Sequence, residues 1–201
     1  MLGAFVRAGQ DDCNAAARSI AAAATSLVIH PCWNRLDPEI PLTAETPMDA
    51  LSLLKDDHQK MRKLLTELES TTERGVKTRE ELFSTIKGEL TIHEIIEEEI
   101  FYPALKDHPK AKDIVLEAYE EHHVVDTVMA ELEGLPVDDE TWGAKAKVMQ
   151  ENVEHHMEEE EGEMFQKARQ VFDREELEEL GTRMEDRKKA AQQELNVPAG
   201  R

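Results

Sequence analysis

HEIIEEEIFYP, residues 93–103, is the stretch that decides the fold of this chain. Its apolar residues have helical spacing, and the buried stripe that they define runs through His93 and Glu97. A buried polar group without a partner costs roughly 2–7 kcal/mol, and an unpaired charge costs more. The stretch therefore predicts a helix whose core-facing side carries two polar groups that something must compensate. The apolar residues of this stripe are Ile86, Leu90, Ile100 and Phe101.

Composition limits the class of protein. The 201 residues include 44 acidic and 24 basic side chains, which gives a formal net charge of −20. Such a surface repels phosphate backbones and anionic lipid, so nucleic-acid and membrane-surface binding are not expected. Charged residues make up 34% of the chain and aromatic residues only 4%, which favours an all-α fold. No apolar run reaches the ~18 residues of a transmembrane helix, and the sequence does not identify a protein partner.

The first 47 residues differ from the rest, because they are rich in alanine and only weakly patterned. Three interpretations compete for residues 1–47: a secretory or transit peptide, a poorly structured tail, and translation that starts at Met48 rather than upstream. Asp11 and Asp12 argue against a targeting peptide. Thr46 and Pro47, with an acid at position 49, predict a helix that begins with Thr46 as its N-cap.

The two cysteines, Cys13 and Cys32, lie within this N-terminal extension and outside every periodic segment. They indicate neither a disulfide framework nor a thiolate metal site. A reducing cytoplasm is the compartment that this usage favours.

From Asp49 onward the periodicity predicts four long helices and a fifth, shorter one. The second helix is expected at about 79–106, with a capping box of Thr78 and Glu81, and the fourth at about 140–171. The fifth is expected to follow Asp173, with Glu176 closing its cap, and to run to about residue 195. The first and third helices carry buried stripes made of Leu51, Leu54, His58, Met61, Leu65 and Leu68, and of Val115, Ala118, His122, Val125, Met129 and Leu132.

An internal repeat of about 63 residues relates the two halves of this region. His58 and His122 each interrupt an apolar stripe and each follow an acid. His93 and His156 each have apolar residues three and seven positions before them and a glutamate four positions after, Glu97 and Glu160. The register favours His122 and His156 over their neighbours, and we expect His30, His108, His123 and His155 to lie outside any site.

Two hairpins with short loops predict an up-down-up-down four-helix bundle over residues 48–172, followed by a C-terminal helix and tail at 173–201. The polar interruptions would then form one buried cluster of four imidazoles and two carboxylates. Six ligands are too many for one tetrahedral zinc, and they suit two metal ions that share bridging carboxylates. Imidazole with carboxylate favours iron over calcium or magnesium, with manganese or zinc as alternatives. The cluster comprises His58, His93, Glu97, His122, His156 and Glu160.

The segments LLKDDH, HEIIEEEIFYP, EEHHVVDTVMAEL and HHMEEEEGEMF together resemble the hemerythrin-like, HHE-type cation-binding domain over residues 48–170. This resemblance implies a four-helix bundle with an oxo- or hydroxo-bridged pair of iron ions, Fe²⁺ or Fe³⁺. It also implies the same six ligands, with Glu97 and Glu160 as the bridges. Glu94 is an additional candidate ligand, although its direction on the helix lies about 100° from that of His93.

The sequence departs from the oxygen-carrying hemerythrins at two positions. Asp126 stands where they have a second histidine of the third helix, and Glu160 stands where they have an aspartate. Asp126 is therefore a further candidate ligand, direct or through water. One imidazole fewer leaves a metal ion with an open position, which argues against simple oxygen carriage.

Three functions from different classes remain. The first is a non-haem di-iron protein, not an enzyme, that binds or senses O₂, NO or iron status. The second is a redox enzyme at the same centre that consumes peroxide or oxidises ferrous iron, for which a small diatomic or peroxide ligand would be the partner. The third is a metal-free structural bundle that pairs through its fifth helix.

Overall fold

The computed structural model describes residues 48–196, and within that range all regular structure is helical. The predictions about residues 1–47, including both cysteines and His30, lie outside the described residues, as do residues 197–201. The α-helices, in chain order, are α1 (Ala50–Glu69), α2 (Val76–Ile96), α3 (Tyr102–Lys106), α4 (Lys112–Glu133), α5 (Trp142–Glu159), α6 (Phe165–Val171) and α7 (Arg174–Glu194).

The bundle is built from two helical hairpins, which confirms the predicted all-α fold. α1 packs against α2 in the first hairpin, α4 packs against α5 in the second, and α1 also contacts α5 across the bundle. α3 and α6 extend α2 and α5, each after a single turn of π-helix. We call these the first π turn (Glu97–Phe101) and the second π turn (Glu160–Met164).

Both π turns begin at a glutamate of the predicted ligand set, whereas the sequence predicted uninterrupted helices there. A π turn inserts one extra residue, so the buried side shifts by one position beyond it. Ile100, predicted to be buried, is only half-buried, while Tyr102 is fully buried. Pro103, two residues after the first π turn, has no N–H group, so it cannot donate the backbone hydrogen bond that an uninterrupted α-helix would form there.

Two predicted helix starts are wrong, and one is confirmed. α1 begins at Ala50 with Asp49, not Thr46, as N-cap, because the Asp49 carboxylate accepts hydrogen bonds from the first N–H groups of the helix at 3.0 and 3.1 Å. Asp173 and Glu176 do form the predicted capping box of α7.

The other wrong start is that of α2, which begins at Val76, before the predicted capping box of Thr78 and Glu81. The backbone shows why: the Arg79 N–H donates to the Gly75 carbonyl oxygen at 2.9 Å, so the helical hydrogen bonds already start there. The buried Arg79 side chain then donates hydrogen bonds to Thr71 Oγ1 at 3.0 Å and to the Val137 carbonyl oxygen at 2.9 Å.

The polar cluster divides the apolar core into two parts. Along α1, Leu54 belongs to one hydrophobic cluster with α3, α6 and α7, and Met61 belongs to another with α2 and α5. His58 lies between them and is 1% exposed. The site is therefore sealed by apolar side chains above and below.

Helix α7 packs against α1, α2 and the first π turn of its own chain. Its apolar face is thus covered within the bundle, where the structural hypothesis expected a partner molecule. Gly181 lies at the crossing with α1, and a Cβ atom there would be 2.1 Å from the Met48 carbonyl oxygen and 2.7 Å from the Ala50 nitrogen. No helix within residues 48–196 is long and apolar enough to cross a membrane.

We expect Gly181→Ala to destabilise the protein by about 1–3 kcal/mol, because the new methyl group meets backbone atoms that cannot rotate away. Gly143→Ala is the matched control, since its Cβ would meet only Arg79 Nη2, at 3.9 Å, and helical alanine is favoured by about 0.5–1 kcal/mol. Urea unfolding of both variants measures the difference. Equal stability of the two variants would contradict the close crossing.

Candidate metal centre

Four buried histidines point their Nε2 atoms toward the middle of the bundle. His58 and His93, from the first hairpin, have Nε2 atoms 3.2 Å apart, and His122 and His156, from the second, have theirs 3.2 Å apart as well. All four side chains are less than a tenth exposed, whereas the neighbouring His123 and His155 are exposed. Each hairpin therefore supplies one pair of imidazoles.

Two buried glutamates lie between these pairs and contact both. One oxygen of Glu97 is 3.1 Å from His93 Nε2, and its other oxygen is 3.4 Å from His122 Nε2. Glu160 Oε2 is 3.2 Å from His58 Nε2 and 3.8 Å from His156 Nε2. A carboxylate that faces two donor sets at once has the arrangement required of a bridging ligand.

The six side chains form two overlapping sets of ligand atoms, each set lying within 4.8 Å. We call them the first donor group (His58, His93, Glu97 and Glu160) and the second donor group (Glu97, His122 and His156). The structure thus brings together all six residues of the predicted ligand set.

Glu94 and Asp126, the two additional candidates, belong to neither donor group within the described residues. Asp126 is exposed on α4. Glu94 is half-buried, and burial, with a smaller contribution from the charges of Asp126 and Glu97, raises its pKa to about 8 despite the attraction of His122. Glu94 therefore carries a proton at neutral pH in the metal-free chain.

Each inward histidine has a carboxylate behind it, at Nδ1. The distances are 2.9 Å from His58 to Glu161, 2.9 Å from His122 to Glu98 and 2.8 Å from His156 to Glu121. Because an ionised carboxylate only accepts, these Nδ1 atoms must donate, which leaves the Nε2 lone pairs facing inward when the rings are neutral.

His93 has the loosest of these contacts. Its Nδ1 atom is 3.7 Å from Asp57 Oδ2, and neither atom has another hydrogen-bond partner. Asp57 forms its hydrogen bond with Lys188 of α7 through the other oxygen. Although burial raises the pKa of Asp57, His93 and Lys188 outweigh it and lower the pKa.

The donor set fits a metal centre. Inward lone pairs of neutral imidazoles repel one another at 3.2 Å, and the buried atoms Glu97 Oε1 and Glu160 Oε2 have no hydrogen-bond partner within residues 48–196. Cations between these atoms would satisfy both needs. Histidines that are oriented by outer carboxylates, with further carboxylates beside them, are the surroundings that metal ions have in proteins.

In the metal-free chain, protons supply the positive charge. Although burial lowers the pKa of His122, its hydrogen bonds to Glu97 and Glu98 raise it to about 11. Burial likewise lowers the pKa of His58, but its contacts with Glu160 and Glu97 outweigh burial, so the pKa is raised. Burial would raise the pKa of Glu160, yet the surrounding histidines lower it far below its usual range.

Tyr102 is the one residue inside the site that the sequence analysis missed. Its hydroxyl group donates to Glu160 Oε1 at 2.8 Å and lies 3.3 Å from His122 Nε2. Burial, followed by the charges of Glu160 and Glu97, raises the pKa of the phenol well above 10. The repeat places Phe165 at the equivalent position, where its ring stacks on that of His58 with the two ring centroids 6.1 Å apart. A comparison of the two repeats could have identified this difference.

A small cavity adjoins the inward histidines on the side of α1, α2, α4 and α5. Its volume is about 20 Å³, enough for one very small ligand. Besides the four imidazoles, it is lined by the charged residues Asp57, Lys60, Glu89 and Glu94 and by the apolar residues Met61, Leu90, Val125, Val153 and Met157.

Comparison with known proteins agrees with this geometry. The hemerythrin HHE cation-binding domain family matches residues 49–168, well over half of the chain. A crystal structure of a hemerythrin HHE cation-binding domain-containing protein from Mycobacterium kansasii is similar, with 28% identity and a TM-score of 0.63. The similarity covers 75% of this chain and 94% of that one. No curated protein matches.

We expect metal binding to release protons, because His122, with its pKa raised to about 11, is protonated at neutral pH in the metal-free chain. The proton of His122 stabilises the metal-free fold fully below pH 6.5, the ordinary pKa of histidine. This contribution is lost as the pH rises through about 11, the pKa of His122 in the folded chain. Metal affinity should therefore rise with pH across this window.

Calorimetry of metal binding near pH 7, in buffers of different ionisation enthalpy, measures the protons released. His123→Ala, which removes an exposed neighbouring imidazole, should release as many protons as the unmodified chain. Binding without proton release would contradict the protonated metal-free cluster.

Proposed function

Because this chain belongs to the hemerythrin HHE cation-binding domain family, we propose that it is a non-haem di-iron protein. In this proposal it binds or senses a small molecule, O₂ or NO, or responds to iron status. Iron held in the two donor groups would supply the redox and ligand-binding chemistry. The protein would supply the positions, the orientation and the exclusion of water.

One observation carries the proposal: two donor groups share Glu97, and Glu160 also contacts histidines of both. Single-ion sites do not require shared carboxylates, whereas a pair of ions does. Imidazole with carboxylate suits iron, and manganese and zinc remain the alternative metals. The proposed ligands are His58, His93, Glu97, His122, His156 and Glu160.

The cavity beside the imidazoles supports a small ligand. Its volume admits only a very small ligand, and the carboxylates and apolar side chains among its walls favour an uncharged one such as O₂ or NO over an anion. The low cysteine count, two in 201 residues, supports a reducing compartment, and we propose a cytoplasmic location.

A redox enzyme is the second candidate, and Tyr102 is the observation that favours it. A buried hydroxyl group beside Glu160 and His122 can hold a proton where a peroxide ligand would need one. In this version the protein consumes peroxide or oxidises ferrous iron at the same centre.

We expect the chain to bind two Fe²⁺ ions, and Glu97→Ala and Glu160→Ala each to lose two-ion binding, because each removes a shared carboxylate. Glu158→Ala, on the exposed side of α5, is the matched control and should bind two. Anaerobic titration with iron analysis of the isolated protein gives the number, and circular dichroism verifies folding.

Retention of both ions by the two variants would rule out the assigned bridges. A melting temperature of the unmodified chain that chelators leave unchanged would instead favour the metal-free structural bundle.

Exposure of the ferrous protein to O₂ separates the two candidate functions. We expect the binding protein to develop an absorption band in the near-ultraviolet or visible range that disappears when O₂ is removed. For the enzyme we expect a band that persists, and peroxide consumption that Tyr102→Phe lowers by at least tenfold, since positioned proton donors contribute about 10²–10⁴-fold. Tyr119→Phe, which contacts Tyr102 from outside the site, is the control.

A further inference from the structure

The C-terminal helix reaches the back of the first donor group. Lys188 of α7 donates a hydrogen bond to Asp57 Oδ1, and Asp57 Oδ2 faces His93 Nδ1 at 3.7 Å. The Lys188 and Asp57 side chains are only 20% and 15% exposed, so water screens their interaction with His93 incompletely. Lys188, Asp57 and His93 thus form a chain of contacts from α7 to the centre of the bundle.

The other histidine of the first donor group has a similar arrangement. Glu161 Oε1 accepts one hydrogen bond from His58 Nδ1, at 2.9 Å, and another from Arg62 Nη1, at 2.8 Å. Both outer carboxylates of the first donor group therefore have a cationic partner on their far side.

The second donor group lacks this feature within residues 48–196. Glu98, behind His122, and Glu121, behind His156, form no ion pair there with a lysine or arginine. Among the residues that the structure describes, the other ion pair of Glu121 is with the exposed imidazole of His155, at 3.9 Å.

The repeat ties the cation beside Asp57 to α7, whereas Arg62 lies on α1. Glu121 in the second hairpin is the counterpart of Asp57 in the first. Next to Asp57, α7 covers a face on which Ile92 and Ile96 are buried. The counterparts of these isoleucines are the exposed His155 and the half-buried Glu159, so the second hairpin has an open surface where the first has α7.

A carboxylate that accepts from Nδ1 makes an imidazole a stronger metal ligand, because it donates charge through the ring. A cation on that carboxylate withdraws charge, and it also repels a metal ion beyond the ring. Asp57 forms its hydrogen bond with Lys188 and only a 3.7 Å contact with His93, so the support that it gives this imidazole is the weakest of the four.

We propose that the two metal positions are inequivalent and that Lys188 is a positioning residue that, beside Arg62, contributes to this difference. By holding Asp57, Lys188 weakens His93 as a ligand. The ion at the first donor group is then less tightly bound, and more easily reduced, than the ion at the second. This inference rests on the proposed function, because it requires both donor groups to hold an ion.

The test compares three full-length variants with the unmodified chain. Lys188→Gln removes the charge, and Lys188→Arg keeps it. Arg187→Gln removes the neighbouring ion pair of α7 with Glu99, at 2.7 and 3.1 Å, which holds the helix but touches no outer carboxylate. The readouts are the two Fe²⁺ dissociation constants, from anaerobic competition with a chelator, and the reduction potential of each iron, from a mediated titration.

We expect Lys188→Gln to tighten the weaker site roughly tenfold, within the range that outer-shell changes produce, and to lower the higher of the two potentials. Lys188→Arg and Arg187→Gln should behave like the unmodified chain. Unchanged or weaker iron binding by Lys188→Gln would overturn the inference, as would an equal change in Arg187→Gln, which would show that helix docking alone matters. If the unmodified chain binds fewer than two ions, the proposed function fails and this inference with it.

Discussion

The need to keep positive charge beside two buried carboxylates governs this structure. Glu97 and Glu160 are at most 1% exposed. Left without cations, the two carboxylates would repel each other, and each would lose the hydration that a charge has in water. Four imidazoles surround them and can meet the need in two ways, by taking up protons or by binding cations. The two apolar clusters on either side keep water away, so neither solvent nor salt can do the same.

The sequence was sufficient for the bundle and for the six inward residues, because both follow from periodicity. A helix that must bury a stripe leaves no choice about which side faces inward, so His58 and Glu160 could be placed without coordinates. The repeat then resolved the choice between His122 and His123, since only one of them keeps the register. Burial of His122 and exposure of His123 agree with that choice.

What the sequence could not supply depends on contacts between distant segments. The π turns at Glu97 and Glu160 shift the buried side by one residue, so Tyr102 enters the site although the α-helical period excluded it. The sequence also did not predict that Arg79 of α2 is buried and bonded to the Val137 carbonyl oxygen, 58 residues along the chain. The outer carboxylates were visible as acids beside each ligand, yet only the packed structure shows which histidine each one orients.

Two of the outer carboxylates, Glu98 and Glu161, directly follow the shared glutamates in sequence, and each orients a histidine of the other hairpin. Glu98 of the first hairpin orients His122 of the second, and Glu161 of the second orients His58 of the first. A lone hairpin would lack half of the support for its own imidazoles, so an unduplicated ancestor could have built this centre only as a symmetric homodimer. In a single chain, unlike in a symmetric homodimer, the two halves can differ, as Tyr102 and Phe165 do at equivalent positions.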